Sequence, residues 1–150
     1  MQTKIEGNLI FIRLFPNEDL FKKLEKVCLK YKIEVGIIIS GIGQFKNFEL
    51  GYFKEKGNYC PEKFLKPYEL LSLNGNIIKQ PVSSGRGKEY KFHLHAVMAG
   101  EDKKVIGGHL LKAKVEVTNE IVLLKCDLPA GSLKRKIEKK TGLEGLFLEK

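Results

Sequence analysis

Apolar and polar positions alternate weakly from Asn8 to Leu14, around Leu9, Phe11 and Arg13, and this period of two predicts a first strand. The pattern then changes. Leu20, Phe21, Leu24, Val27, Cys28 and Tyr31 recur at helical spacing, with Lys22, Lys23, Lys26 and Lys30 on the opposite face. Pro16-Asn17 starts this helix, with Asn17 as its cap and Glu18-Asp19 suited to the positive end of the first turn. The stripe reads as core packing.

Short β-branched runs follow. Val35 to Ser40 predicts a buried strand, Gly41-Ile42-Gly43 a tight turn, and Phe45 to Phe53 another strand. Lys54 to Pro67 is lysine-rich, carries Pro61 and Pro67, and reads as a loop. Tyr68 to Leu73 is the next strand, ended by the turn signal Asn74-Gly75. Gln80 to Glu89 is the loosest stretch and is placed over the face that carries the histidines described below. Val105 to Val117 predicts one long bent strand and Ile121 to Cys126 another. Ser132 caps a short second helix carrying Lys134, Arg135, Lys136, Lys139 and Lys140, stopped by Gly142, and Leu146 to Leu148 closes the sheet. The expectation is an α+β fold: a mixed, mostly antiparallel sheet of about seven strands flanked by one main helix and a short second helix. Residues 1–150 read as a single domain, long enough to bury a core.

The histidines change the picture most. The three in the chain, His93, His95 and His109, fall within seventeen positions. On a strand, residues i and i+2 share a face, so His93 and His95 stand roughly 6.6 Å apart at the backbone. Gly100-Glu101-Asp102-Lys103-Lys104 reads as a hairpin turn. If it centres on Asp102, His95 faces His109 directly and His93 lies diagonal to it, so all three imidazoles project together. A slip of one residue would send His109 to the other face. A bulge at Gly107-Gly108 would re-aim it. Three neutral imidazoles without cysteine suit a divalent metal, zinc first, with a position left open for water or a ligand. The alternative for the cluster is a hydrogen-bonded structural group.

Composition adds three points. Cys28, Cys60 and Cys126 are odd in number, scattered and outside any Cys-x-x-Cys pair, so neither a zinc ribbon nor a thioredoxin motif is present. No stretch approaches a membrane span and the start lacks a signal-peptide core, so a cytoplasmic protein is expected, with no membrane partner. The net charge of +9 points to a polyanion such as DNA. Yet 24 of the 27 basic residues are lysine, the arginines being Arg13, Arg86 and Arg135. A lysine-rich chain contacts backbones more readily than it reads bases. Arg86 and Lys88 in Gly85-Arg86-Gly87-Lys88, and the run Lys134, Arg135 and Lys136, are the candidate nucleic-acid contacts.

Tyr68-Glu69-Leu70-Leu71-Ser72-Leu73-Asn74-Gly75-Asn76-Ile77, His93-Leu94-His95-Ala96-Val97, Gly107-Gly108-His109-Leu110-Leu111 and Thr118-Asn119-Glu120-Ile121-Val122-Leu123, in this order, resemble the plant and prokaryote conserved (PPC) domain. Ser40-Gly41-Ile42-Gly43, Gly51-Tyr52-Phe53 and Thr141-Gly142-Leu143 also match. The resemblance implies a sheet of about seven strands with flanking helices, a homotrimer, and a metal site at His93, His95 and His109. Plant members pair the domain with DNA-binding AT-hooks. This chain has no such hook and is similar to the stand-alone prokaryotic type, for which a DNA-binding or regulatory role is expected. Positions Lys66 and Pro67 depart from the plant partner-contact block that Tyr68-Glu69-Leu70-Leu71 continues. Two other functions fit an open three-histidine site: a metal-dependent hydrolase, with Glu89, Glu116 or Glu120 as base, and a small-ligand sensor.

Overall fold

The structure, a computed structural model, describes residues 1–82 and 85–149. Its elements are β1 (Gln2–Glu6), β2 (Leu9–Leu14), α1 (Leu20–Lys30), β3 (Val35–Glu55), β4 (Asn58–Phe64), β5 (Tyr68–Pro81), β6 (Lys88–Ala99), β7 (Val105–Cys126), β8 (Leu133–Ile137) and β9 (Glu144–Leu148). Seven strands form one sheet in the order β1-β2-β7-β6-β5-β3-β4, and β7 also pairs with β3. The pairings β3–β5, β5–β6, β6–β7 and β7–β3 therefore close a ring. Every named strand pairing is antiparallel.

The core lies inside this ring and under α1. Leu94, Ala96 and Met98 of β6 point inward with Leu73, Ile77, Phe45 and Leu110. Leu20, Leu24, Val27 and Cys28 of α1 are fully buried on one stripe, as the 3.6 period requires. Each such side chain contributes up to about 1.5–3 kcal/mol. The helix cap is Asp19, whose carboxylate accepts the Lys22 N–H at 3.0 Å. Asn17 instead takes a left-handed backbone (φ 66°) in the turn before it.

The secondary structure departs from expectation at several places. The segment predicted as a second helix forms strand β8, paired with β9 in a separate two-stranded sheet. Leu133, Arg135 and Ile137 alternate there with Lys134 and Lys136, and the period of two prevails over the cap signal at Ser132. β9 consequently does not extend the main sheet. Lys54 to Pro67 is largely strand β4, whose Pro61 sits opposite Gly51 on the sheet edge, where a missing N–H costs no ladder bond.

Gly41-Ile42-Gly43 and Asn74-Gly75 do not turn the chain: β3 and β5 run through them. Gly75 has φ 147°, and a Cβ there would lie 1.9 Å from the His93 carbonyl oxygen. Close approach to β6, rather than a turn, is what this glycine permits. β7 is one strand where two were expected. Of the loose stretch between β5 and β6, Ser83 and Ser84 lie outside the described residues. Arg86 and Lys88 are exposed at the far end of the hairpin ladder, beyond the Asn76–His93 pair, and do not cover the histidines. No helix among the described residues is long and apolar enough to cross a membrane.

Candidate functional site

The β6–β7 hairpin places the histidines. Its turn is closed by Lys103 N–H to Gly100 O (3.0 Å) and Gly100 N–H to Lys104 O (3.1 Å). From there the ladder runs Ala99–Val105, Met98–Ile106, Val97–Gly107, Ala96–Gly108 and His95–His109 without a bulge. This is the register that a turn centred on Asp102 dictates. Leu94 and Ala96 point into the core, so His93 and His95 stand on the outer face of the ring. His109 joins them at the point where β7 leaves β6 and pairs with Gly51 of β3.

The three rings converge. Their centroids lie 5.0–5.3 Å apart, and each contributes a nitrogen within 4.8 Å of the other two. His93 Nε2 and His95 Nε2 are 3.1 Å apart. Nitrogens bound at about 2.0–2.1 Å to one tetrahedral ion would be separated by roughly 3.3 Å, so the donor set fits a single small cation. Burial, helped by the neighbouring His93, His95 and Arg135, lowers His109 to about 4. Burial and Arg135 also lower His93. Both rings are therefore unprotonated near neutrality, the state in which an imidazole nitrogen can ligate.

A cleft of about 530 Å³ opens beside the rings. Tyr59 of β4 lies against Gly51, where a Cβ would meet its hydroxyl at 2.3 Å, and its ring stands edge-on to His109 at 6.3 Å. The opposite wall is the β8–β9 sheet, with Arg135 and Glu144. Arg135 is only 9% exposed. Its guanidinium donates to Asn76 Oδ1, and its backbone N–H donates to Gln80 Oε1 at 2.8 Å.

The candidate DNA contacts thus part company. Arg86 and Lys88 are exposed, and Lys134 is half-buried. Lys136 is exposed and pairs with Glu149. Arg135 is turned into the histidine cleft and does not face bulk solvent. The three acids considered as general bases lie elsewhere: Glu116 pairs with Lys46, Glu120 is exposed opposite Arg13, and Glu89 pairs with Lys91 at 3.2 Å. Glu144, which pairs with Lys91 at 3.5 Å, is the acid that lines the cleft. Nothing in the sequence pattern marks Glu144 or Tyr59. For Arg135 the alternation across Leu133 to Ile137 was the available signal.

Comparison with known proteins matches the chain to one family. The family model of the Plants and Prokaryotes Conserved domain (PCC, also abbreviated PPC) matches residues 1–127. A Pyrococcus horikoshii plant- and prokaryote-conserved protein superposes with a TM-score of 0.75 at 30% identity, covering 98% of this chain and 97% of that one. A metal-containing protein of Archaeoglobus fulgidus gives 0.80 at 28% identity, covering 98% and 99%. A candidate DNA-binding protein of Bacteroides thetaiotaomicron gives 0.84 at 25% identity, covering 99% and 98%. Among curated proteins, a bifunctional protein GlmU of Synechococcus is 27% identical over 139 residues, 92% of this chain. The chain spans about one fifth (20%) of that relative's length.

Proposed function

The chain belongs to the Plants and Prokaryotes Conserved domain family, and from that membership we propose that it is a metal-binding homotrimer, formed by residues 1–150 as one domain, that works in association with DNA in the cytoplasm. The observation that carries the reading is the convergence of His93, His95 and His109 on one point. They would hold a divalent cation, zinc by the chemistry of three imidazoles. A cation so held supplies Lewis acidity and an open coordination position. The name of the Archaeoglobus relative, a metal-containing protein, supports the same reading.

Assembly is supported by the outer face of the ring. Val97, two residues from His95 on the same face, is 40% exposed, and Ile37, Ile39 and Leu71 are 42%, 50% and 49% exposed. Apolar side chains concentrated on one sheet face are best covered by another copy of the chain. The DNA association rests on the net charge of +9 and on the name of the Bacteroides relative, a candidate DNA-binding protein. Exposed Arg86 and Lys88, with Lys134 and Lys136, are the proposed backbone contacts.

Elemental analysis of protein purified without a nickel column, before and after zinc reconstitution, tests the metal reading. About one ion per chain is expected. Protein that stays metal-free after reconstitution overturns it. A metal-dependent hydrolase is the second reading, favoured by Glu144 in the cleft wall; turnover of a model ester abolished by His95→Ala would establish it.

A further inference from the structure

Arg135 carries a charge with no ion-pair partner among the described residues. It is 9% exposed, and its guanidinium hydrogen-bonds the neutral amide oxygen of Asn76. Glu144, the acid that lines the cleft, attracts Arg135 only from beyond ion-pair distance and is engaged by Lys91, which also pairs with Glu89. An arginine remains protonated even when burial disfavours its charge. A buried cation is costly unless it is paired.

The surroundings make the imbalance larger. Three uncharged imidazoles bring no negative charge to a divalent cation. Guanidinium and cation together would present three positive charges to one cleft. Beyond the mutually paired Lys91 and Glu144, much of the remaining lining is apolar or aromatic: Tyr52, Phe53, Leu111 and Leu143 belong to it. Its volume, about 530 Å³, lies within the usual range for a small organic ligand.

We propose that this cleft is a binding site for a small organic carboxylate with an apolar body, whose carboxylate spans the Arg135 guanidinium and the cation held by His93, His95 and His109. The site rests on the metal reading above and adds the class of ligand. The guanidinium fork matches a carboxylate in plane and spacing. The apolar body packs on Leu111, Leu143 and Phe53. The recognising arginine comes from β8, outside the residues 1–127 that the family model matches. The guanidinium is therefore supplied by the two-stranded sheet and the cation site by the β6–β7 hairpin.

The test uses the full zinc-reconstituted chain, with benzoate as probe and benzamide as its neutral counterpart, followed by calorimetric titration. Benzoate is expected to bind, and benzamide to bind at least about tenfold more weakly. Arg135→Met should keep the zinc content of the parent and weaken benzoate at least about tenfold. Because that substitution also removes the bond to Asn76, Asn76→Asp serves as an isosteric second variant. It supplies the guanidinium with an internal carboxylate, and it should keep the zinc while weakening benzoate to a similar extent. Zinc-loaded protein that ignores benzoate up to about 10 mM, or that binds it unchanged in both variants, overturns the proposal. So does benzamide binding as well as benzoate, or inorganic phosphate binding more tightly than benzoate. A chain that takes up no zinc overturns the metal reading and the carboxylate site together, a result distinct from a zinc-loaded chain that ignores benzoate.

Discussion

His95 and His109 stand directly opposite one another across β6 and β7, their rings 5.3 Å apart at 87° to each other. The pair sits at the last rung the two strands share, and His93 reaches it from two residues further along β6. Loss of either member removes one of three donors and leaves a two-imidazole site.

Zinc affinity of His95→Ala and His109→Ala should fall by about a hundredfold or more, while overall stability of the metal-free protein changes little for exposed His95. Competition with a chromogenic chelator reads this directly. Affinity of the parent should also decline as pH falls toward 4, where the lowered His109 ring takes up its proton. Parent-like zinc affinity in both alanine variants would exclude these rings as ligands.

Acid should destabilise the metal-free protein through His109. Burial, followed by the charges of His93, His95 and Arg135, lowers this ring in the folded state from 6.5 to about 4. The unfolded chain therefore binds the extra proton first, and stability present above pH 6.5 is lost as pH falls toward 4. Urea midpoints measured at pH 7 and pH 5 should differ by less in His109→Gln than in the parent. An identical pH dependence in the two proteins would refute the assignment.

Gly75→Ala should cost about 3 kcal/mol or more, since its Cβ would meet the His93 carbonyl at 1.9 Å in a backbone conformation that side chains avoid. The same strain falls on the strand that carries His93, so zinc affinity should drop with stability. Gly57→Ala is the control: its φ of 80° is also unusual, but the space around it is open, and about 1 kcal/mol is expected. Denaturant titration of both variants makes the comparison.

In solution, light scattering should return about three times the chain mass of 17.0 kDa. Val97→Asp or Ile37→Asp, each placing a charge on the exposed apolar face, should shift the protein toward monomer without unfolding it. A parent protein that is monomeric at micromolar concentration contradicts the trimer.

DNA binding, where it occurs, should weaken steeply with salt as condensed counterions are released. Sequence preference should be slight, and Lys134→Glu with Lys136→Glu should lower affinity while His95→Ala leaves it nearly intact. Absence of binding at about 50 mM salt would remove the direct DNA contact from the proposed function.

Local physics made much of this protein legible in its sequence. The helical stripe from Leu20 to Cys28 needs only the 3.6 period and one apolar face. The His95–His109 register follows from a five-residue turn, because a tight hairpin fixes every rung beyond it. What local pattern could not weigh was competition from distant partners. Asn74-Gly75 has the composition of a turn, yet β5 continues through it because strands on both sides supply its ladder bonds. Lys54 to Pro67 looks like a loop until β3 offers it an edge.

Sequence by itself thus determined the β6–β7 hairpin and its three imidazoles, since these depend on residues within seventeen positions of one another. The cleft was decided by the tertiary structure alone. Arg135 meets Asn76 across fifty-nine positions, Tyr59 reaches His109 from another hairpin, and Glu144 arrives on the last strand. Such contacts are set by how the sheets pack: the alternation around Arg135 marks a strand, but three-dimensional closure alone decides which distant partner its side chain meets.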